Sequence, residues 1–250
     1  MVHGTTLSAY LPTGKVPPRK SRRGRGRQRQ RAARVDSVIL LASRSVGRLS
    51  TLRAAGVDPL VRVSHVDEDT VLEELRTTSQ GRAHPSPAAQ VQALAQAKAI
   101  EVAARTLPQE AQVVVGCDSM LEIDGAVVGK PADAHVARDR WRSMRGRSGV
   151  IHTGHFLVRT CDGATAGAVG SALVRFGCPT DQEIDAYVAS GEPLDCAGAF
   201  TIDGLGGAFI DSVEGDPHAV VGISLPLLRR LLAGLGVTWT DLWERQAAQG

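Results

Sequence analysis

Apolar and polar positions follow two rhythms along this chain, and the rhythms assign most of its elements. Val38-Ile39-Leu40-Leu41-Ala42 is a continuous apolar run of buried-strand type. The polar loop Ser43–Gly47 follows, and residues 48–55 then carry Leu49 and Leu52 on one helical face with Gly56 as the stop. Residues 61–66 read as extended and end in Asp67-Glu68-Asp69. A Pro/Ser/Gly-rich stretch over 81–87 precedes an Ala-rich helix over 88–106, whose stripe is Leu94, Ala97, Ile100 and Ala104. Val113-Val114-Val115-Gly116-Cys117 is a second buried strand, with Asp118 and Ser119 just past its end. Asp124-Gly125 marks a hairpin turn within 120–128. Gly129-Lys130-Pro131 closes that hairpin, and 133–145 is an amphipathic helix. Residues 150–158 and 167–176 form an antiparallel pair around Cys161-Asp162-Gly163. Thr180 and Glu183 make a capping box for a helix that Gly191 stops. Glycine-rich residues 197–207, a strand over 208–213 and an apolar helix over 224–235 complete the pattern. Strands and helices joined by both parallel and hairpin connections make this an α/β chain.

Composition adds little until it is divided. At 43% hydrophobic and 22% charged, the 250 residues match an ordinary globular protein with a sizeable core. The longest apolar run, about ten residues near 219–228, is well short of a membrane span. Four cysteines without a CxxC pair or a histidine at zinc spacing argue against a zinc site or a disulfide framework. With no signal-peptide pattern either, a cytoplasmic location is expected. Charge is where the division shows. Residues 1–36 hold ten Lys or Arg against Asp36 alone, a net +9 in a chain of net +3, so the remainder carries −6. The expected organisation is a disordered basic tail over 1–36, an acidic globular domain over 37–237 and an extension over 238–250. The tail has three readings: an arm for nucleic acid or another anionic surface, a targeting segment, or an extension without a role.

Several residues of the domain could carry chemistry. Ser43, Ser45, Arg44 and Arg48 surround a helix start, where amide groups and a guanidinium suit a phosphate; serines there also serve as plain N-caps. Asp67-Glu68-Asp69 and Asp118 lie at strand ends, where ligands gather in open α/β sheets and where carboxylates suit Mg²⁺ or Mn²⁺. The acidic triplet by itself is also what a solvated turn looks like. Asp118 follows a buried run, so it must be paired, protonated or on a metal. Lys98 lies on or near the apolar stripe of its helix, and Lys130 sits in a stiff turn. The seven histidines share no pattern, which makes packing or surface roles their default.

The order of these segments resembles the Maf family of nucleoside triphosphate pyrophosphatases. The family's LAS-x-S-P-R-R loop stands here as Leu41-Ala42-Ser43-Arg44-Ser45-Val46-Gly47-Arg48, and its (V/E)-D-E element as Val66-Asp67-Glu68. A-x-x-K-A is Ala95 to Ala99, G-A-D-T is Gly116-Cys117-Asp118-Ser119, and G-K-P is Gly129-Lys130-Pro131. The S-G-R-x-H-x-V-x-T stretch falls on 145–153, A-G-A-Y-x-I-x-G-x-G on 197–206, and V-V-G-L-P-L on 220–225.

The resemblance implies a two-lobed α/β fold around an elongated mixed sheet, similar to the inosine-triphosphate pyrophosphatases, with a nucleotide in the cleft. It implies hydrolysis of the α–β phosphoanhydride of nucleoside triphosphates with a divalent cation, Mg²⁺ or Mn²⁺, and a link to cell-division arrest. Asp118 would be the proton acceptor or a metal ligand, and Glu68 and Asp67 would complete the metal site. Ser43, Ser45, Arg48, Lys98 and Lys130 would grip the triphosphate. A homodimer is a further expectation.

Departures fall at the positions the family uses to choose a base. Gly47, Ser119 and Asp203 replace Arg, Thr and Gln of the dTTP/UTP-preferring branch and Trp, Gln and Glu of the 7-methyl-GTP branch, so the base stays open and a modified nucleotide is within range. Gly149 stands where the family has His. The competing reading is a catalytically inactive nucleotide- or nucleic-acid-binding regulator that uses the Arg-rich tail. A phosphomonoesterase is a third.

Overall fold

The computed structural model describes residues 38–78 and 84–243. The tail expected over 1–36 and the last part of the extension, 244–250, lie outside the described residues.

The strands come first because they place the site. β1 (Ile39–Leu41) lies parallel to β2 (Leu60–Val61) on one side and to β3 (Val113–Ile123) on the other. β4 (Ala126–Val128) turns back on the end of β3 through Asp124-Gly125, both in left-handed backbone conformation. β5 (Ser148–Arg159), β6 (Thr165–Phe176) and β7 (Ile210–Glu214) continue antiparallel, giving the order β2-β1-β3-β5-β6-β7. β5 covers one edge of β3 from Val113 to Glu122. On the other edge β1 reaches only Val115 and β4 begins only at Leu121, so among the described residues no strand lies beside 116–120 there.

Helices α1 (Val46–Ala54), α2 (Glu68–Thr78), α3 (Pro87–Ala103), α4 (Ala134–Met144), α5 (Asp181–Ala189), α6 (Pro217–Val221) and α7 (Leu225–Gly234) complete the mixed α/β architecture. Alternation along β3 sends Val113, Val115 and Cys117 into one apolar cluster with Ile39, Leu41, Leu52, Leu228 and Leu232. Leu121 and Ile123, farther along the same face, enter a second cluster with Trp141, Phe176 and Tyr187. Val220 belongs to the second cluster and Ile223 to the first, so the corner between α6 and α7 spans their junction.

The opposite face of β3 carries α3, and it does so at unusually close range. A Cβ on Gly116 would strike the Ala95 carbonyl oxygen and come within 2.8 Å of the Ala99 nitrogen. One on Gly154 of β5 would strike the Val91 carbonyl. The helix therefore lies backbone to backbone on the sheet.

Five sequence expectations are corrected. The inward face of α3 is Val91, Leu94, Ala95, Ala99 and Val102, because small residues must meet the two glycines; Ile100 is turned outward. Asp118 stands in the middle of an eleven-residue strand, not past its end. Of the segment 61–66 expected to be extended only Val61 is strand, in β2, and α2 begins at Glu68, with its acids in the first turn, where they favour a helix dipole. α1 starts at Val46, two residues early, because Ser45 caps it. The packed chain also runs through Trp243, past the expected boundary at 237. Leu242 is buried in the first cluster, and Trp243 donates its indole N–H to the Ala55 carbonyl at 2.9 Å.

Gly116→Ala should cost about 1–3 kcal/mol, as overpacking does when backbone must move. The check is a lowered urea midpoint; an unchanged midpoint would mean that α3 is not pinned to the sheet there.

Candidate active site

Where β3 lacks a neighbour, the chain has put a guanidinium. Arg48 reaches from the first turn of α1 into the gap and donates to four acceptors. Nη1 binds the Cys117 carbonyl at 2.9 Å and Ser43 Oγ at 3.0 Å, Nη2 binds Ser119 Oγ at 3.2 Å, and Nε binds the Gly222 carbonyl at 2.8 Å. Arg48 thus satisfies a strand carbonyl that β1 is too short to reach, and it joins α1, β3 and the α6–α7 corner. Gly222 accommodates this with φ +114°; a Cβ there would lie 3.0 Å from Arg48 Nε. Ser45 takes the N-cap role, accepting from Arg48 N at 3.3 Å, while Ser43 Oγ accepts from the Ser45 amide as well as from Arg48.

On the α3 face of the same strand, Lys98 Nζ lies 2.6 Å from both Asp118 Oδ1 and Glu68 Oε1. The close docking of α3 is what lets one lysine reach a mid-strand aspartate. Lys98 and Asp118 are nearly buried, with side chains 13% and 12% exposed, whereas Glu68 is 54% exposed. Burial pushes the Asp118 carboxyl above its ordinary value, and the charges of Lys98 and Arg48 pull against that shift. A base of raised affinity beside two cations is an arrangement that can take a proton next to a bound anion. Asp118 and Glu68 already bracket one cation, the Lys98 ammonium, and their hard oxygens suit Mg²⁺ or Mn²⁺, so these two residues fit a divalent ion. Among the described residues no group of three or more His, Cys, Asp or Glu side chains gathers for a metal.

Other expected site residues are placed differently. Asp67 caps α2: Oδ1 accepts from the amides of Asp69 and Thr70, and Oδ2 from Thr70 Oγ1 at 2.9 Å. These bonds hold its carboxyl below its ordinary value. Gly47 lies in the first turn of α1 against Val221, 3.1 Å from where its Cβ would be. Lys130 is exposed after β4, and its charge is felt by the Cys196 thiol. Asp203 is exposed and accepts from Thr201 Oγ1 at 2.8 Å. The Gly149 position leaves no space for a side chain, since a Cβ would sit 2.9 Å from Ile123 and Leu121. Cys117 is a packing residue, its thiol pushed up to about 11 by burial.

Residues 38–235 match the family described as Maf-like protein. The chain is 52% identical over 205 residues to a nucleoside triphosphate pyrophosphatase of Streptomyces coelicolor, covering 82% of this chain and 94% of that protein. It is 51% identical over 216 residues to one from Nocardia farcinica, covering 84% of this chain and 99% of the relative. This chain belongs to the Maf-like family.

Two buried residues of this Maf-like protein, Thr153 at the end of the 145–153 motif and His155 beyond it, make contacts that the sequence does not assign. Thr153 Oγ1 donates to the Ala219 carbonyl at 2.8 Å and shares a hydrogen bond with Ser119 Oγ, also 2.8 Å. His155, fully buried, faces the Thr153 carbonyl through Nδ1 at 3.1 Å, and its Nε2 accepts the Ser224 N–H at 2.9 Å. The one sequence signal was a pair of polar residues, Thr153 and His155, spaced by two in an apolar strand and therefore on one face.

Burial, aided by the Arg48 charge, lowers the His155 imidazole from 6.5 to about 4. In the unfolded chain it takes up a proton near pH 6.5; in the folded protein it resists until about pH 4. Its contribution is therefore present above pH 6.5 and is lost as pH falls through that window, by about 3 kcal/mol in all. Urea denaturation across pH 4–7 should show this loss, and His155→Gln should remove that part of the acid slope.

Proposed function

We propose that this Maf-like protein is a metal-dependent nucleoside triphosphate pyrophosphatase that cleaves the α–β phosphoanhydride, releasing a nucleoside monophosphate and pyrophosphate. The names of the curated relatives point to this activity. The observation that carries it is Asp118, a carboxylate of raised proton affinity held in mid-strand between Lys98 and the Arg48-filled gap.

In this reading the triphosphate lies along the gap in the β3 edge. The α1 amides, Ser43 and Ser45, and the fifth N–H of Arg48 bind phosphate oxygens. Asp118 accepts the proton of the attacking water. Lys98 leaves its shared position to follow the charge that develops on the leaving pyrophosphate, and Lys130 closes in from the β4 turn. Asp118 and Glu68 would hold the divalent cation, which supplies charge neutralisation at the phosphates; Asp67 supports it indirectly by starting α2 at Glu68. Base choice falls to the surroundings of Gly47, Ser119 and Asp203. Ser119 is already engaged by Arg48 and Thr153, so it shapes the wall, while the exposed Asp203 carboxylate is free to accept from a base N–H. Removal of non-standard or modified nucleotides is the role such a site would serve.

The test is pyrophosphate release with Mg²⁺ or Mn²⁺ across standard and modified nucleoside triphosphates. Asp118→Asn should lower the rate at least ~100-fold, the scale of lost general-base chemistry, and chelation should abolish it. Orthophosphate in place of pyrophosphate would indicate a phosphomonoesterase. No product above the Asp118→Asn background would leave the inactive binding protein as the better account.

A further inference from the structure

The corner between α6 and α7 is held by three side chains, the half-buried Arg48 and the buried Thr153 and His155, each through a backbone group of the corner. Arg48 Nε donates to the Gly222 carbonyl, Thr153 Oγ1 to the Ala219 carbonyl, and the Ser224 N–H donates to His155 Nε2. The first two ties use groups that are permanently donors or flexible hydroxyls. The third depends on a choice of tautomer.

That choice is forced by the neighbours. Nε2 faces an N–H, so it must offer a lone pair. Nδ1 faces the Thr153 carbonyl, so it must carry the hydrogen. Only the neutral imidazole protonated on Nδ1 satisfies both. An imidazolium, or the other neutral tautomer, would set N–H against N–H inside a fully buried site and release the corner. The corner then matters for Arg48, because Gly222 lies two residues before Ser224 and its carbonyl holds the guanidinium at Nε while β3 holds it at Nη1. Without it, Arg48 keeps its contacts to Cys117 and Ser43 but loses the contact that sets its rotation.

We propose that His155 is a positioning residue of this site: as the neutral Nδ1–H tautomer it holds the α6–α7 corner, and through the Gly222 carbonyl it aims Arg48 at a substrate phosphate. The inference rests on the reading of the gap as a phosphate site, but not on catalysis. Thr153 acts in parallel by fixing Ala219, and Arg48 and Asp216 are the charged groups whose fields reach His155.

Inorganic tripolyphosphate is the probe, because its binding to the full chain needs no turnover. In the presence of Mg²⁺, His155→Phe should weaken binding about tenfold, the usual scale for one lost hydrogen bond at a charged group. His155→Gln, whose amide oxygen replaces the Nε2 lone pair, should restore binding to within about twofold. Arg48→Met should weaken binding, and His155→Phe added to it should change nothing further, since both act through one group. Nitrogen NMR of the wild-type protein at pH 7 should find Nδ1 protonated and Nε2 bare, a readout that survives even if the phenylalanine variant does not fold. An additive double mutant, a glutamine variant as weak as phenylalanine, the other tautomer, or no tripolyphosphate binding by the wild type would each overturn the proposal. Tripolyphosphate binding with the expected coupling, in a protein that releases no pyrophosphate from any nucleotide, would uphold it while removing the pyrophosphatase reading.

Discussion

Lys98 reaches Asp118 only because α3 lies against the sheet at two residues that have no side chain. Helices normally stand off a sheet by the thickness of two layers of side chains. At Gly116 and Gly154 both layers are reduced, on the sheet to hydrogen and on the helix to alanine or bare backbone. A lysine one residue from the contact then has length to spare and bridges Asp118 to Glu68 at the start of α2. A buried carboxylate in mid-strand would otherwise be costly to ionise, so the packing of one helix is what makes an aspartate tolerable in that position.

The second constraint is the short reach of β1. A parallel partner that covered all of β3 would satisfy its edge and close the site. Instead β1 ends opposite Val115, and Arg48 satisfies the next carbonyl of that edge, at Cys117. A side chain in place of a strand leaves room for a ligand while meeting the backbone's hydrogen-bonding demand. It also places a permanent positive charge at the gap. Fold and candidate site are therefore joined at one residue: Arg48 completes the sheet edge and anchors the α6–α7 corner, with one N–H beyond those four bonds.

Much of this was legible in the sequence, and the misses have physical causes. Buried strands, the Asp124-Gly125 turn and the Thr180 capping box announced themselves through local chemistry that the fold does not override. The face of α3 differs from the expected stripe because docking on Gly116 and Gly154 turns Ala95, Ala99 and Val91 to the sheet, which rotates Ile100 outward. α2 was missed because none of its residues is buried, so burial imposes little pattern on it. Asp118 looked like a strand's end because a charge interrupts an apolar run, but its burial depends on Lys98, twenty positions earlier. Acids and bases of the site were visible as residue types. Thr153 is visible only as the end of a motif, and the contacts of His155 not at all, since each residue is held by a backbone group, 66 and 69 residues away, that any residue type supplies.

Burial acts on Asp118 and His155 in the same sense, towards neutrality, raising one proton affinity and lowering the other. Arg48 separates them. Its charge favours the ionised carboxylate of Asp118, against burial, and the neutral imidazole of His155, with burial. One guanidinium thus biases both groups towards acceptor forms, a carboxylate at Asp118 and a lone pair facing Ser224. A lysine at position 48 would keep the charge but could not span Cys117, Ser43, Ser119 and Gly222 with a single ammonium, because three hydrogens cannot serve four acceptors set around a plane. The arginine is needed here for its shape as much as for its charge.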